Sequence, residues 1–416
     1  MLLSQEYNSP WSKISKLVFR FLCLYFTLYV LLMFTASFFE TPFKWIGSKV
    51  LGITYEYSTN GQGSGDTTFA YVTTFINFCL AVLFLIVWTL LDRKRPSYNK
   101  LFYWFLVLLR VTLVLAMLLY GLVKIFKVQF PSASLTRLLE PLGNFSPMGL
   151  AWTYMGYSKG FNVFVGFMEV LGGLLLIPRR TQTLGAFIVM GVMTQVAMMN
   201  LFFDIPVKLF SIHLILMALI IFMTDIKRFV GVFIKNKSVT EYQYYHPIND
   251  KTYHKVIFWL KTIGLVVVAG LMSMNFYSVE QSRGDYKEKP LLYGIWEAKL
   301  FVKNNDTLAP LVTDSERWRY LIIDNKDRAT VKTMDDKKHR FTFKPDTTAG
   351  KVTVFKTSNT EDSLNFTYDY PDFNKLILRG VLENDSINIS FERIEHNDFK
   401  LKSQKFRWIN EYPDNQ

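Results

Sequence analysis

Ionisable side chains lie inside the long apolar runs of this sequence, where a charge is costly and is therefore a candidate for function. The clearest pair is Lys124 and Glu169, since Glu169 falls midway along one run and Lys124 near the end of another. A carboxylate in apolar surroundings can transfer protons, and an ammonium group can polarise a ligand. The sequence predicts a polar pocket between helices, and its candidate residues are Arg110, Tyr120, Lys124, Glu169, Asn200, Asp204, Lys208 and His213.

Three interpretations of these residues remain open. In the first, Lys124 pairs with Glu169 and Asp204 pairs with Lys208, and these ion pairs hold the helices together. In the second, the same groups line a ligand or proton site. In the third, the side chains of Lys124 and Lys208 extend to the lipid headgroups and form no site. Lys208 and His213 are five residues apart, which separates them by about 140° around a helix. These two side chains therefore cannot both face one narrow pocket.

A second candidate is the Gly-rich stretch "STNGQGSGDTT" in the segment 37–67. Its backbone N–H groups could form an anion-binding nest. The stretch lacks the Lys-Ser/Thr ending of a nucleotide-binding P-loop. The alternative is a loop in which Asp66 or Thr67 caps the next helix. The candidate residues of this loop are Ser64, Gly65, Asp66 and Thr67.

Seven apolar runs of about 20 residues, each long enough to cross a bilayer, would position these side chains. The predicted spans are 16–36, 68–91, 101–125, 160–178, 182–203, 206–224 and 256–276. Lys and Arg are dense before the first run and in alternate loops after it. The positive-inside rule then predicts a multi-pass protein of the inner (cytoplasmic) membrane. Its N-terminus would be cytoplasmic, and its C-terminal domain would be periplasmic.

The charge and cysteine content exclude several classes of protein. Residues 277–416 are electrically balanced, so the net charge of +13 lies entirely in the apolar part of the chain. That distribution indicates contact with the lipid bilayer and argues against nucleic-acid binding. Cys23 and Cys79 both lie in apolar runs. No metal, haem or nucleotide motif is present in the sequence.

The part of the sequence that carries most of the candidate pocket residues, about 101–225, resembles the DoxX-like membrane proteins. The resemblance rests on an R…G-x-x-K pattern, a G-x-x-E-x-x-G-G helix, a basic turn and a polar N…D/K…H end. It implies a four-helix core and, from some relatives, a membrane subunit of a quinone- or thiol-linked redox system. This chain departs from the family in its extra helices and in lacking cysteines that could relay electrons. The matching positions are Arg110, Gly121, Lys124, Gly166, Glu169, Gly172, Gly173, Arg179, Arg180, Gly185, Asn200, Asp204, Lys208 and His213.

Residues 291–410 contain short runs of alternating polarity separated by turn-rich joints such as "PDTTAG". About eight or nine hairpin-linked strands are predicted, forming an up-and-down barrel that is either filled with side chains or holds a small ligand. Gly294-Ile295-Trp296 resembles the G-x-W of lipocalin-like (calycin) barrels. That resemblance implies that Trp296 closes one end of the barrel under a late-strand arginine, for which Arg407 is the candidate.

The predicted fold class is an α-helical transmembrane bundle followed by an all-β soluble domain. Its parts are a two-span extension (1–100), a DoxX-like core (101–225), a basic loop with the seventh span and a linker (226–284), and the β-domain (285–416). One hypothesis is a redox protein whose pocket, in the outer leaflet, binds a quinone. Another is a non-enzymatic envelope scaffold or lipid-binding assembly factor whose β-domain recruits an extracytoplasmic protein. A small transporter is the third, and enzymatic activity is left open.

Overall fold

The computed structural model describes residues 10–61, 63–239, 245, 248, 250–346, 349–356, 359–382, 385–404 and 406–412. The chain forms two compact units. The helical unit comprises Met1–Phe130 and Ser146–Glu280, and the β unit comprises Pro131–Phe145 and Gln281–Gln416. The segment 131–145 therefore belongs with the β unit, whereas the sequence analysis placed it in the helical core.

Most of the helices belong to the helical unit, and several begin with a side-chain cap. Ser12 accepts a hydrogen bond from the Ser15 N–H, and Ser146 caps a helix whose first residue is Pro147. Proline suits that position because the first N–H groups of a helix have no partner within it. The helices are α1 (Lys13–Thr35), α2 (Glu40–Lys49), α3 (Thr68–Leu91), α4 (Asn99–Ile125), α5 (Leu135–Leu138), α6 (Pro147–Tyr157), α7 (Lys159–Leu175), α8 (Gln182–Phe202), α9 (Lys208–Met223), α10 (Ile226–Phe233), α11 (Lys251–Arg283) and α12 (Lys400–Ser403).

Each of the seven predicted spans coincides with a helix, and several of these helices could cross a membrane. Among the described residues, five segments are long and apolar enough to do so. They are Lys13–Lys49, Thr68–Leu91, Asn99–Ile125, Gln182–Phe202 and Lys255–Arg283. A sixth is added if α9 and α10, which meet at a bend of 74°, count as one span. Helix α7 has 17 residues and is not among them, so a count of seven spans stays a prediction.

Glycines set the distance between the helices of the core. A Cβ atom on Gly121 of α4 would lie 2.6 Å from the carbonyl oxygen of Gly166 on α7. A Cβ on Gly173 would lie 2.8 Å from that of Met117, and one on Gly172 would lie 2.9 Å from Val189. Small residues allow this approach because no side chain separates the two backbones. Gly172 and Gly173 of α7 therefore allow close packing against α8 and α4.

The β unit is a closed antiparallel barrel. Among the described residues, eight strands follow one another in chain order around the barrel, and the first of them pairs with the last to close it. A further strand of two residues follows the first in the chain and pairs with it alone. The inward side chains are large and apolar, and they include fully buried Trp296, Phe301, Phe366 and Phe391, which fill the interior. The strands are β1 (Gly294–Lys303), β2 (Asp306–Thr307), β3 (Trp318–Asn325), β4 (Arg328–Thr333), β5 (Lys338–Asp346), β6 (Lys351–Lys356), β7 (Asn359–Asp372), β8 (Lys375–Leu382) and β9 (Asp385–Ile394).

The arginine over Trp296 is Arg393, so the prediction of Arg407 is wrong. The Arg393 guanidinium lies 5.7 Å from the centre of the Trp296 ring, and the Trp296 indole N–H donates to the Leu292 carbonyl at 2.9 Å. Residues 296 and 393 are direct partners in the β1–β9 ladder. Arg407 lies past the last strand and is exposed. Arg393 lies opposite Trp296 because β9 pairs with β1. The two strands are far apart in sequence, so the residues around position 393 do not indicate this contact.

The crossing of α4 and α7 leads to a test with a matched glycine. We expect Gly121→Ala to lower the free energy of unfolding by roughly 1–3 kcal/mol, because its methyl group would overlap the backbone of Gly166. Gly191→Ala on α8 is the control, since a Cβ there meets nothing within 4 Å. This control should be neutral or slightly stabilising because alanine favours helix. Thermal unfolding in one detergent would compare them, and equal midpoints for both variants would contradict the close crossing.

Candidate functional site

A complete ion pair joins α4 and α7. The Lys124 Nζ atom lies 2.9 Å from each carboxylate oxygen of Glu169, and it also donates to the Tyr120 carbonyl at 3.3 Å. Lys124 is 4% exposed and Glu169 is 1% exposed. An ammonium group has three protons, and here each has an acceptor. The predicted pairing of these two residues is confirmed.

The two crossing glycines position this pair. Lys124 follows Gly121 by three residues, and Glu169 follows Gly166 by three residues. Residues three apart on a helix lie on the same face, so each ionisable side chain lies on the face that meets the other helix. The G-x-x-K and G-x-x-E patterns therefore have one structural meaning. The glycine brings the backbones together, and the residue one turn further along crosses the interface.

A cavity of about 200 Å³ lies beside the ion pair. Five helices contribute to its wall, namely α4, α6, α7, α8 and α9. Gln195 on this wall is exposed, so the cavity reaches the surface of the helical unit there. The polar part of the wall is formed by Tyr120, Lys124, Gln129, Glu169, Gln195, Asn200 and Ser211. The apolar part includes Phe130, Met148, Trp152, Met155, Met193, Val196, Met199 and Phe210.

Some polar groups of the wall have hydrogen-bond partners within the protein, and one does not among the described residues. The Asn200 amide donates to the Val207 carbonyl and to the Ser211 hydroxyl, each at 3.2 Å. The buried Oε1 atom of Gln129 has no hydrogen-bond partner among the described residues. A buried acceptor without a donor costs free energy. Gln129 Oε1 is therefore a point at which a ligand that donates a hydrogen bond would be stabilised.

Four of the eight predicted pocket residues do not line this cavity, and two of these, Arg110 and His213, are buried elsewhere in the helical unit. The Arg110 guanidinium donates to the Leu176 carbonyl at 2.7 Å and to the Ile177 carbonyl, at the end of α7. His213 faces α1, where its ring stacks on Tyr29 at a centroid distance of 3.9 Å. Its Nδ1 atom donates to the Leu209 carbonyl, and Nε2 lies 2.9 Å from the Tyr25 hydroxyl. Of the predicted set, the cavity thus brings together Tyr120, Lys124, Glu169 and Asn200.

The pair of Asp204 and Lys208 is a surface contact. The Lys208 Nζ atom lies 2.9 Å from Asp204 Oδ1, and the Asp204 side chain is 85% exposed. Asp204 has a φ angle of 51°, in the left-handed region, and it lies just after α8 in the connection to α9. An exposed pair of this kind contributes about 1 kcal/mol or less. Neither residue lines the cavity.

The candidate loop at Ser64, Gly65, Asp66 and Thr67 is folded onto the start of α9. The Asp66 carboxylate accepts from the backbone N–H groups of Lys208 at 2.7 Å and Leu209 at 3.0 Å. The N–H of residue 64 donates to the carbonyl of residue 61, and that of residue 65 to the carbonyl of residue 206. Thr67 caps α3, as the capping alternative predicted. These N–H groups are engaged within the protein, and Asp66 caps α9 rather than the helix that follows it.

Comparison with known proteins places part of the chain in a family. "Uncharacterized protein YwoB" of Bacillus subtilis (strain 168) is 36% identical to it over 124 residues. The match covers 30% of this chain and 79% of the relative. This chain belongs to the YwoB family. No protein-family model matches the chain, and no solved structure matches it significantly. The printed name of this relative assigns it no activity.

Sequence reasoning missed several residues of the cavity wall. Gln129, Ser211 and Trp152 carry no charge, and a neutral polar residue near a helix end is commonly a capping or surface residue. Four methionines of the wall, at positions 148, 155, 193 and 199, look like ordinary core residues in the sequence. The number of methionines in these helices is the feature of the sequence that could have predicted a binding cavity. Methionine adapts its shape to irregular ligands, and binding surfaces use it for that reason.

The ion pair leads to a test of charge balance. Glu169→Leu would leave the Lys124 ammonium buried without an anion, and we expect a loss of about 3–5 kcal/mol in the free energy of unfolding. The double variant Lys124→Met, Glu169→Leu removes both charges and should recover most of that loss. Asp204→Asn is the control, because it neutralises an exposed carboxylate. Denaturant unfolding in detergent, followed by circular dichroism, would measure all four proteins. A double variant less stable than Glu169→Leu would contradict the role of the pair.

Proposed function

We propose that the helical unit binds the polar head of a quinone-type amphiphile in the cavity beside Lys124 and Glu169. In this proposal the protein is the membrane component of a quinone-linked redox system. The observation that carries it is a buried, internally neutral ion pair on the wall of a cavity whose lining is mostly apolar. Cavities that bind small molecules commonly combine apolar walls with a few fixed polar groups.

The polar groups suit both redox states of such a ligand. A quinone carbonyl accepts hydrogen bonds, and the Lys124 ammonium would exchange its 3.3 Å hydrogen bond to the Tyr120 carbonyl for one to the quinone. A quinol hydroxyl donates a hydrogen bond, and Gln129 Oε1 or the Glu169 carboxylate can accept it. The methionine and aromatic side chains of the wall would contact the ring and the start of the tail.

The ion pair also suits the proton balance of quinone chemistry. Reduction of a quinone to a quinol takes up two electrons and two protons. In this proposal Lys124 donates one proton to a quinone oxygen, is reprotonated from water and then donates the second. Glu169, 2.9 Å from the Lys124 Nζ atom, can hold the incoming proton before it passes to Lys124. Electrons would come from a partner protein, and we propose that the surface of the β unit docks it. The DoxX-like resemblance supports the same class of function.

The topology remains part of this proposal. Seven spans, with the N-terminus in the cytoplasm and the β unit in the periplasm, follow from the distribution of Lys and Arg. That orientation places the cavity in the outer leaflet of the inner membrane. The meander order of the strands, with Trp296 under Arg393, supports a lipocalin-like relationship for the barrel.

A non-enzymatic envelope scaffold is the second candidate function. It is favoured by the interior of the barrel, where large apolar side chains fill the space that a ligand would occupy. A barrel of this kind acts through its outer surface. Exposed Phe406, Trp408 and Tyr412 follow the last strand and would suit contact with an exported protein. In this case the ion pair of the helical unit would be structural only.

Filling the cavity provides the test that separates these functions. Val196→Phe adds a ring inside the cavity, whereas Met198→Phe on the same helix adds one outside it. We expect quinone to copurify in mild detergent with the wild type and with Met198→Phe. We expect about tenfold less of it with Val196→Phe, which corresponds to about 1.4 kcal/mol in binding. Solvent extraction and mass spectrometry would measure quinone per mole of protein. Absence of quinone from the wild type, or equal amounts in both variants, would favour the scaffold.

A further inference from the structure

A second cavity in the helical unit has a different character. It has a volume of about 220 Å³ and lies between α4, the end of α7 and α11. Its wall is apolar except for two residues, Arg110 and Lys261, which are both cations. Val111 and Leu115 on the wall are also exposed, so the cavity opens onto the apolar outer face of the helices. Two positive charges and no carboxylate thus share one small apolar space.

The protein fixes one of these charges without neutralising it. Arg110 is 8% exposed, and its guanidinium donates to the carbonyls of Leu176 and Ile177. Carbonyl oxygens satisfy hydrogen-bond donors but carry no formal charge. Within the part of the chain that the structure describes, Arg110 forms no ion pair. Two further arginines, Arg179 and Arg180, follow Ile177 closely in the chain and add positive charge to this end of the unit.

Lys261 carries the second charge of the cavity. Among the described residues, the Lys261 ammonium group makes no hydrogen bond and no ion pair. Lysine can extend towards the headgroups, and Lys261 lies about 9 Å along the helix from the start of the apolar stretch at Lys255. Arg110 is held by its two carbonyls and lacks that freedom. Like charges in apolar surroundings repel one another, so an anion at this point would stabilise both.

We propose that this cavity binds an anionic phospholipid, with its phosphate between Arg110 and Lys261 and an acyl chain along Val111 and Leu115. Charge complementarity requires an anion, and the apolar wall that opens outward requires an attached chain. Helix α11 has none of its most apolar stretch buried within the unit, so it offers a continuous surface for that chain. The site does not depend on the proposed quinone cavity, which has a different wall.

The charge of the site can be tested with two lysines of one helix. Delipidated protein in detergent would be titrated with phosphatidylglycerol or phosphatidylcholine of identical acyl chains, and native mass spectrometry would count the bound lipid. We expect the wild type to prefer phosphatidylglycerol by about tenfold. Lys261→Gln should weaken phosphatidylglycerol binding about fivefold, the effect of one basic residue near an acidic lipid. Lys255→Gln removes the same charge outside the cavity and should leave binding unchanged.

The apolar part of the site can be tested with two glycines. Gly264 lines the cavity, Gly270 does not, and a Cβ on either meets nothing within 4 Å. Gly264→Leu should therefore fill the cavity without disturbing the fold and abolish selective phosphatidylglycerol binding, whereas Gly270→Leu should retain it. Inorganic phosphate should not displace the lipid. Equal binding of both lipids to the wild type, equal losses in Lys261→Gln and Lys255→Gln, equal losses in the two glycine variants, or displacement by phosphate would each overturn the proposal.

Discussion

The contact between α4 and α7 at Gly121 and Gly166 is the constraint on which the helical unit depends. Two buried charges are tolerated only when they neutralise each other and when their remaining donors are satisfied. Lys124 meets that condition with two carboxylate oxygens and one carbonyl. A single methyl group at the crossing would push the helices apart and lengthen these bonds. The glycines and the charges therefore form one structural device.

This arrangement can be predicted from the sequence because each glycine and its ionisable residue are close together in the chain. A glycine three residues before an ionisable residue recurs on two helices, and the helical repeat alone places both on one face. The spans, the cap at Thr67 and the meander of strands are equally local, and the structure has helices or strands at each place. Long-range pairing is different. Arg393 lies beside Trp296 because the last strand pairs with the first. No sequence pattern near position 393 predicts that contact.

The surface that buries an apolar segment is also difficult to predict from the sequence. The segment 133–140 carries apolar side chains, which have to be covered by some surface other than water. In the structure Leu135 of α5 packs with Ile295 and Ile322 of the barrel, so the segment belongs to the β unit. Periodicity shows that a face must be buried, but it does not identify the surface that buries it. His213 is a similar case, because its aromatic neighbours on α1 are distant in sequence.

The two cavities of the helical unit show why an ionisable residue must be judged by its charge balance as well as its hydrogen bonds. Beside the first cavity Glu169 neutralises Lys124, so the cavity suits a ligand with a neutral head. Beside the second, the donors of Arg110 are satisfied by carbonyls, yet its charge remains and Lys261 adds another. The first environment favours a neutral amphiphile and the second an anionic one. The same residue types thus specify two classes of ligand, according to whether the counter-charge is supplied by the protein itself.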